Sequence, residues 1–311
     1  MIELILNLLV ITVLPFVYIG MINRIKSLWA GRKGPSLMQP WFDFLKLLKK
    51  GEVISTVTSP IFKAAPSVSL AAVILAGMVV PIINHKSILG FEGDFIFFAY
   101  ILAMGKFFSI LSAMDTGSSF EGMGASREVT FSSLMEPAFL IIISALCVMT
   151  GFTRFESLSA LLPADSEMAT LTVGLSILVI FIMILVEGCR VPVDDPNTHL
   201  ELTMIHEVMI LDNSGPDLAF IQYGSALKMV IFSSLIPNLL LPRGLPLLFW
   251  FPLYLIIVFI IAAAIGLIES LMARLRLIHV PQFILMVSSV SFISLAALII
   301  YTYTYGPGGP K

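Results

Sequence analysis

Leu171-Thr-Val-Gly-Leu-Ser-Ile-Leu-Val-Ile-Phe-Ile-Met-Ile-Leu-Val186 is an uncharged apolar run. It passes directly into Glu187-Gly-Cys-Arg-Val-Pro-Val-Asp-Asp-Pro-Asn-Thr-His-Leu-Glu-Leu-Thr-Met-Ile-His-Glu207, and a second apolar run opens near Leu218. The first run has the length and composition of a membrane-spanning helix. Between Glu187 and Asp217 the chain concentrates seven of its twenty acids and two of its four histidines. Titratable groups packed so densely beside hydrocarbon are expensive, because charge is poorly solvated there. Such groups ordinarily serve the movement of protons or ions.

The same reading extends over the chain. Apolar residues make up 58%, charged residues 12%, and the mean hydropathy is +1.00, outside the range of soluble domains. Eight runs can cross about 30 Å of hydrocarbon: Ile2–Ile22, Ala65–Ile83, Asp94–Met114, Phe131–Gly151, Ala169–Val186, Leu218–Leu241, Pro246–Ser270 and Pro281–Tyr303. With no soluble-domain-sized insert and no internal repeat, residues 1–311 read as one integral membrane domain. The expected fold is all-α, a polytopic membrane helix bundle. The first span, with no basic leader, is expected to remain as an anchor.

The basic residues orient it. Arg24, Lys26, Arg32, Lys33, Lys46, Lys49, Lys50 and Lys63 crowd the first loop, and Arg127, Arg190, Arg274 and Arg276 fall in the other odd-numbered loops. The opposite side carries only Lys86, Arg154, Arg243 and Lys311. The positive-inside rule then makes the odd loops cytoplasmic and places both termini outside. In the first loop, Leu37, Trp41, Phe44, Leu45 and Leu48 share a helical face opposite Asp43, Lys46, Lys49 and Lys50, which predicts an amphipathic interfacial helix. Residues Asp115–Thr130 read as a Gly/Ser-rich loop.

Within the spans the ionisable residues are few: Lys106, Glu136, Glu187, Lys228 and Glu269. Glu136 stands about two turns inside its span and precedes Pro137; burial there disfavours the charged form and suits reversible protonation. Its structural alternative is a hydrogen bond to a neighbouring helix, with Lys106 as candidate partner. Glu187 and Glu269, near helix ends, either join a proton path or snorkel to water. His199 and His206 would share a helix face about 10.5 Å apart, too far to chelate one metal, so no metal site is expected. Beside Glu201 and Glu207 they suit proton relay. Asp194 and Asp195 are candidates for the same path, or caps for a helix starting near Thr198.

Cys147 and Cys189 are isolated, whereas an iron–sulfur cluster takes about four cysteines, so redox cofactors are expected on other chains. No phosphate-binding glycine loop, nucleophile–base pair or nucleic-acid signature is present, and no catalytic residue is expected.

Three segments carry a resemblance over nearly the whole chain. They are Gly-Arg-Lys-Gly-Pro-Ser-Leu-Met-Gln-Pro (31–40), Arg127 nine residues before Glu136, and Glu187 through Glu207 continuing to Leu211-Asp-Asn-Ser-Gly-Pro-Asp-Leu218. The chain resembles the subunit 1 (H) family of respiratory complex I. Within that family it is most similar to the membrane subunit of group 4 nickel–iron hydrogenases, as in formate hydrogenlyase. Two departures from the quinone-reducing branch stand out: Asn197 and His199 where that branch tends to carry acids, and no Trp-Lys after Arg276.

The resemblance implies a non-catalytic, multi-pass subunit of a prokaryotic cytoplasmic (inner) membrane. It would anchor hydrogenase large and small subunits and an iron–sulfur protein, beside antiporter-like membrane subunits. Their nickel–iron centre and clusters would lie on those partners, and this chain would hold no cofactor. Arg32, Lys33, Arg127 and Arg190 are the expected docking residues; Glu136, Glu187, Glu201, Glu207, Asp194, Asp195, His199, His206, Lys106 and Glu269 are the expected proton path. The competing readings are a quinone-cavity subunit, revealed by a photoaffinity label; a stand-alone transporter, which should show an inverted repeat; and a passive anchor, separated by coupling assays.

Overall fold

The computed structural model of the chain describes residues 2–158, 167–195 and 204–305. Eight of its helices are long and apolar enough to cross a membrane. They are α1 (Ile2–Trp29), α3 (Pro60–Val79), α4 (Asp94–Asp115), α5 (Ser119–Thr150), α7 (Glu167–Glu187), α9 (Gly215–Leu240), α10 (Leu247–Leu271) and α11 (Val280–Tyr305). Three short α-helices, α2 (Gln39–Leu48), α6 (Phe155–Leu158) and α8 (His206–Met209), and a 3-10 turn at Leu277–His279 complete the helical elements of the described residues. The chain is thus an all-α, multi-pass membrane bundle.

Helix α9 is the hub and touches α1, α2, α3, α7 and α10. In its most apolar window 67% of residues are buried, against 22% for α4. Small residues allow the close approaches on which membrane helices depend. A Cβ on Gly105 of α4 would sit 2.9 Å from the Ala72 side chain of α3. One on Gly124 of α5 would meet the Ile205 carbonyl at 2.9 Å, which ties the start of α5 to the segment around α8.

Proline inside a span leaves a carbonyl four residues earlier without its amide, and lipid offers no substitute. Pro15 in α1 orphans Ile11 in this way, and the Tyr223 hydroxyl of α9 donates to that carbonyl at 2.7 Å.

Two expectations change. Asp115–Thr130 is not a loop: α5 runs unbroken for 32 residues from Ser119. Packing of Gly124 against the α8 segment outweighs the weak helix propensity of glycine. The interfacial helix forms at Gln39–Leu48, but its packed face is Trp41, Phe44 and Leu47, while Leu45 and Leu48 stay exposed. Aromatic contact decides this, with Phe16–Trp41 ring centroids at 4.9 Å and Phe44–Tyr223 at 5.6 Å.

Candidate functional site

The end of α1 with Lys26 and the segments just after α7 and α10 with Arg190 and Arg274 form the basic end of the bundle; just inside it lies a buried charge cluster. Glu187, the last residue of α7, is 7% exposed. Its Oε1 accepts from Lys106 Nζ of α4 at 2.7 Å, and its Oε2 from Lys228 Nζ of α9 at 3.1 Å. Lys106 also donates to Ser132 Oγ at 2.5 Å and lies 3.7 Å from Glu128, both on α5. Two cations and two carboxylates therefore balance at zero in a place where unpaired charge is not tolerated.

A second group joins three chain segments. Glu269 of α10, its side chain 0% exposed, meets Lys26 of α1 at 2.7 Å and Arg190 at 3.2 Å. In the third group Asp194 pairs with Arg274 at 3.2 Å and accepts from the amides of Ile205 and His206 at 3.2 and 3.1 Å. Asp194 thereby fixes the start of α8. Arg127 of α5 donates to the Met204 carbonyl at 2.7 Å, and the Asp212 amide donates to Glu121 at 3.0 Å. The acidic segment is stitched to α5 from both sides.

Cavities lie beside the first two of these groups. One of about 240 Å³ opens between α1, α2 and α9, lined by Asp43, Arg190, His206, Glu207 and Tyr223 among others. A neighbour of about 60 Å³ is lined by His206, Lys106, Glu128, Glu187 and Lys228. A third of about 30 Å³ lies among Lys106, Glu187 and Glu136. Each exceeds the space one water molecule needs. His206 borders the first two, and Lys106 with Glu187 borders the last two. Cys189 also lines the large cavity, but burial pushes its thiol well above the ordinary range and keeps it protonated.

Several expected positions require correction. Glu136 is not enclosed: much of its side chain is exposed on α5, at the edge of the small cavity that it lines with Lys106 and Glu187. Lys106 hydrogen-bonds Glu187 and Ser132 rather than Glu136. Glu269 does not snorkel, since two cations reach it inside the protein. Arg190, expected on a docking surface, is 8% exposed and committed to Glu269. Arg127 is half-buried and turned inward, whereas Arg32 and Lys33 are exposed. Met204 and Ile205 are non-helical, so no single helix carries a histidine face up to His206. Asp195 is half-buried, its amide bonded to Asp194 Oδ1 at 2.9 Å. His199 and Glu201 lie outside the described residues. Lys228, Glu128, Lys26 and Arg274 join the site without having been expected there. The legible signal was Lys228, a lone cation in an apolar span that needs a buried acid.

A family model described as NADH dehydrogenase matches residues 2–302. The chain belongs to the NADH dehydrogenase family. It is 33% identical over 227 residues to hydrogenase-4 component C of Escherichia coli K12, covering 73% of this chain and 71% of that protein. To formate hydrogenlyase subunit 4 of the same organism it is 26% identical, covering 81% and 83%. To a subunit of the NADH-quinone oxidoreductase of Orientia tsutsugamushi it is 26% identical, covering 69% and 62%. A chain of the membrane-bound sulfane sulfur reductase, an archaeal respiratory membrane complex, shares the fold with a TM-score of 0.77 over 96% of this chain and 100% of that one, at 18% identity. The protein is a membrane subunit of the type shared by group 4 hydrogenases and complex I, and such subunits work within multi-subunit membrane complexes.

Proposed function

We propose that this chain is the membrane subunit of a prokaryotic inner-membrane hydrogenase complex, and that it links redox chemistry on bound soluble subunits to proton movement through its carboxylates. The hydrogenase large and small subunits and an iron–sulfur protein would carry the nickel–iron centre and clusters, and antiporter-like subunits would lie alongside in the membrane. Exposed Arg32 and Lys33 offer charge to an acidic partner surface.

The observation that supports the reading most is the string of cavities from Glu207 and His206 past Glu187 to Glu136. Lys106 is the movable element. It is shared between Glu187 and Glu128, and Glu136 lies within its electrostatic reach. A proton arriving on Glu187 cancels one attraction and leaves Lys106 to favour the carboxylates on α5. When Lys106 turns towards Glu136, that group ionises and releases its proton. Each proton gained at one end is matched by one lost at the other.

Removing Glu187 and Lys228 together keeps the buried charge balanced, since Lys106 retains Glu128. Glu187→Gln/Lys228→Met should therefore assemble, evolve H₂ in detergent and lose proton uptake coupled to H₂ in sealed membranes. Glu136→Gln should do the same, and Glu136→Asp should keep part of the coupling. Wild-type coupling in both Gln variants would sink the reading.

A second reading, a quinone pocket, draws on the 240 Å³ cavity beneath the aromatic cluster of Phe16, Phe44 and Tyr223. A quinone photoaffinity label recovered on α1 or α9 would favour it.

A further inference from the structure

Ser132 touches both ends of the step that matters most in the carboxylate route. It is buried, 6% exposed, and stands four residues before Glu136 on α5. Other hydroxyls of this helix turn back onto its own carbonyls: Ser126 onto Met123, Thr130 onto Ser126, Ser133 onto Thr130 and Ser144 onto Leu140. Serine and threonine inside helices commonly settle this way. Ser132 Oγ instead accepts from Lys106 Nζ of α4 at 2.5 Å. An oxygen that faces an ammonium directs its own hydrogen elsewhere, and the Glu136 carboxyl lies within hydrogen-bonding reach of that hydroxyl.

The contacts therefore run without a gap. Glu187 Oε1 accepts from Lys106 at 2.7 Å, Lys106 donates to Ser132, and the Ser132 hydroxyl reaches Glu136. A cavity of about 10 Å³ beside Lys106, Glu187 and Ser132 leaves the ammonium a little room to shift between its acceptors. Hydrogen bonds in series polarise one another. A cation on the serine oxygen makes its O–H a stronger donor, and a stronger donor holds a carboxylate better than a carboxylic acid. Ser132 can thus carry the influence of Lys106 to Glu136 although the two charged groups share no hydrogen bond of their own.

We infer that Ser132 is the positioning residue through which Lys106 sets the charge of Glu136. While Glu187 is ionised, it draws the ammonium to its own oxygen. When Glu187 takes a proton that attraction is lost, and the ammonium settles more firmly on Ser132. The serine hydrogen then presses on Glu136, which lets its own proton go. Ser132 keeps its hydrogen throughout. One proton is gained on Glu187 and one is lost from Glu136, so the charge of the cluster does not change.

The inference rests on the proposed proton-coupled hydrogenase reading. Its test compares side chains of one shape with and without the hydroxyl, Ser132→Thr and Ser132→Val, in the whole complex sealed in liposomes. Proton uptake per H₂ evolved should stay within about twofold of wild type with threonine. It should fall about tenfold with valine, the size of effect expected when a hydrogen bond to a charged group is lost. Ser132→Ala, smaller than either, should behave as valine does. A second readout, which packing alone would not move, is the infrared band of the protonated Glu136 carboxyl, identified by its absence in Glu136→Gln. Glu187→Gln/Lys228→Met should weaken that band when residue 132 is serine and leave it unchanged when residue 132 is valine. Equal coupling with threonine and valine, or a band that still responds with valine, would overturn the inference. If Glu187→Gln/Lys228→Met and Glu136→Gln stop coupling and Ser132→Val does not, this inference alone fails. A wild-type complex that moves no protons would remove the coupling reading and this one together.

Discussion

The two halves of this bundle solve the cost of buried polarity differently. At the basic end the polar groups are ions, and each sits against its opposite: Glu187 with two lysines, Glu269 with Lys26 and Arg190, Asp194 with Arg274. Towards the other end the deep polar groups are hydroxyls, an amide, an indole and an imidazole, paired without formal charge. An ion in low dielectric requires a partner of opposite sign nearby, so removing one member exposes the other. A neutral pair loses one hydrogen bond, and the penalty is smaller.

The largest break should come from Glu187→Gln alone, which leaves Lys106 and Lys228 facing a neutral amide. A loss of about 3–5 kcal/mol is expected on thermal unfolding of the detergent-solubilised chain. Adding Lys228→Met should recover most of it; failure of that rescue would show that charge balance is not what holds this end together.

Next comes Arg190→Met. Glu269 keeps Lys26 at 2.7 Å but loses one of its two cations, so a loss of about 1–3 kcal/mol is expected. The soluble subunits should remain bound to whatever chain folds. Their release from a fully folded variant would restore Arg190 to the docking surface.

The smallest stability effect belongs to Arg32→Glu/Lys33→Glu. Both side chains are exposed, so unfolding should move by no more than about 0.5 kcal/mol. Retention of the soluble subunits on washed membranes should fall. Retention at wild-type level would remove this loop from the interface.

Much of the architecture was legible because hydrocarbon is a simple solvent. Eight apolar runs can only be helices, since every backbone amide needs a partner within its own segment. Glu187, Asp194 and His206 were also legible, as titratable groups in places where such groups are costly. Their partners were not. Lys106 and Glu187 are eighty-one residues apart, and Lys228 a further forty-one beyond Glu187; nothing local links them. Glu136 shows the opposite error. Its span is legible in the sequence, but which way a helix faces is set by its neighbours.

By itself, then, the sequence determined the solvent in which this protein folds, the number of its spans, the basic asymmetry that labels its two ends, and the positions where charge demands compensation. These are properties of segments, set by transfer free energy and helical geometry. Only the tertiary structure decided that Arg190 points inward to Glu269, that Lys106 chooses Glu187, and that Tyr18, Ser233, Ser234 and Tyr254 meet as two hydroxyl pairs. Those outcomes depend on which helices pack against α9 and at what rotation. Rotation is settled by the fit of glycines and side chains between helices, and no single segment encodes that fit.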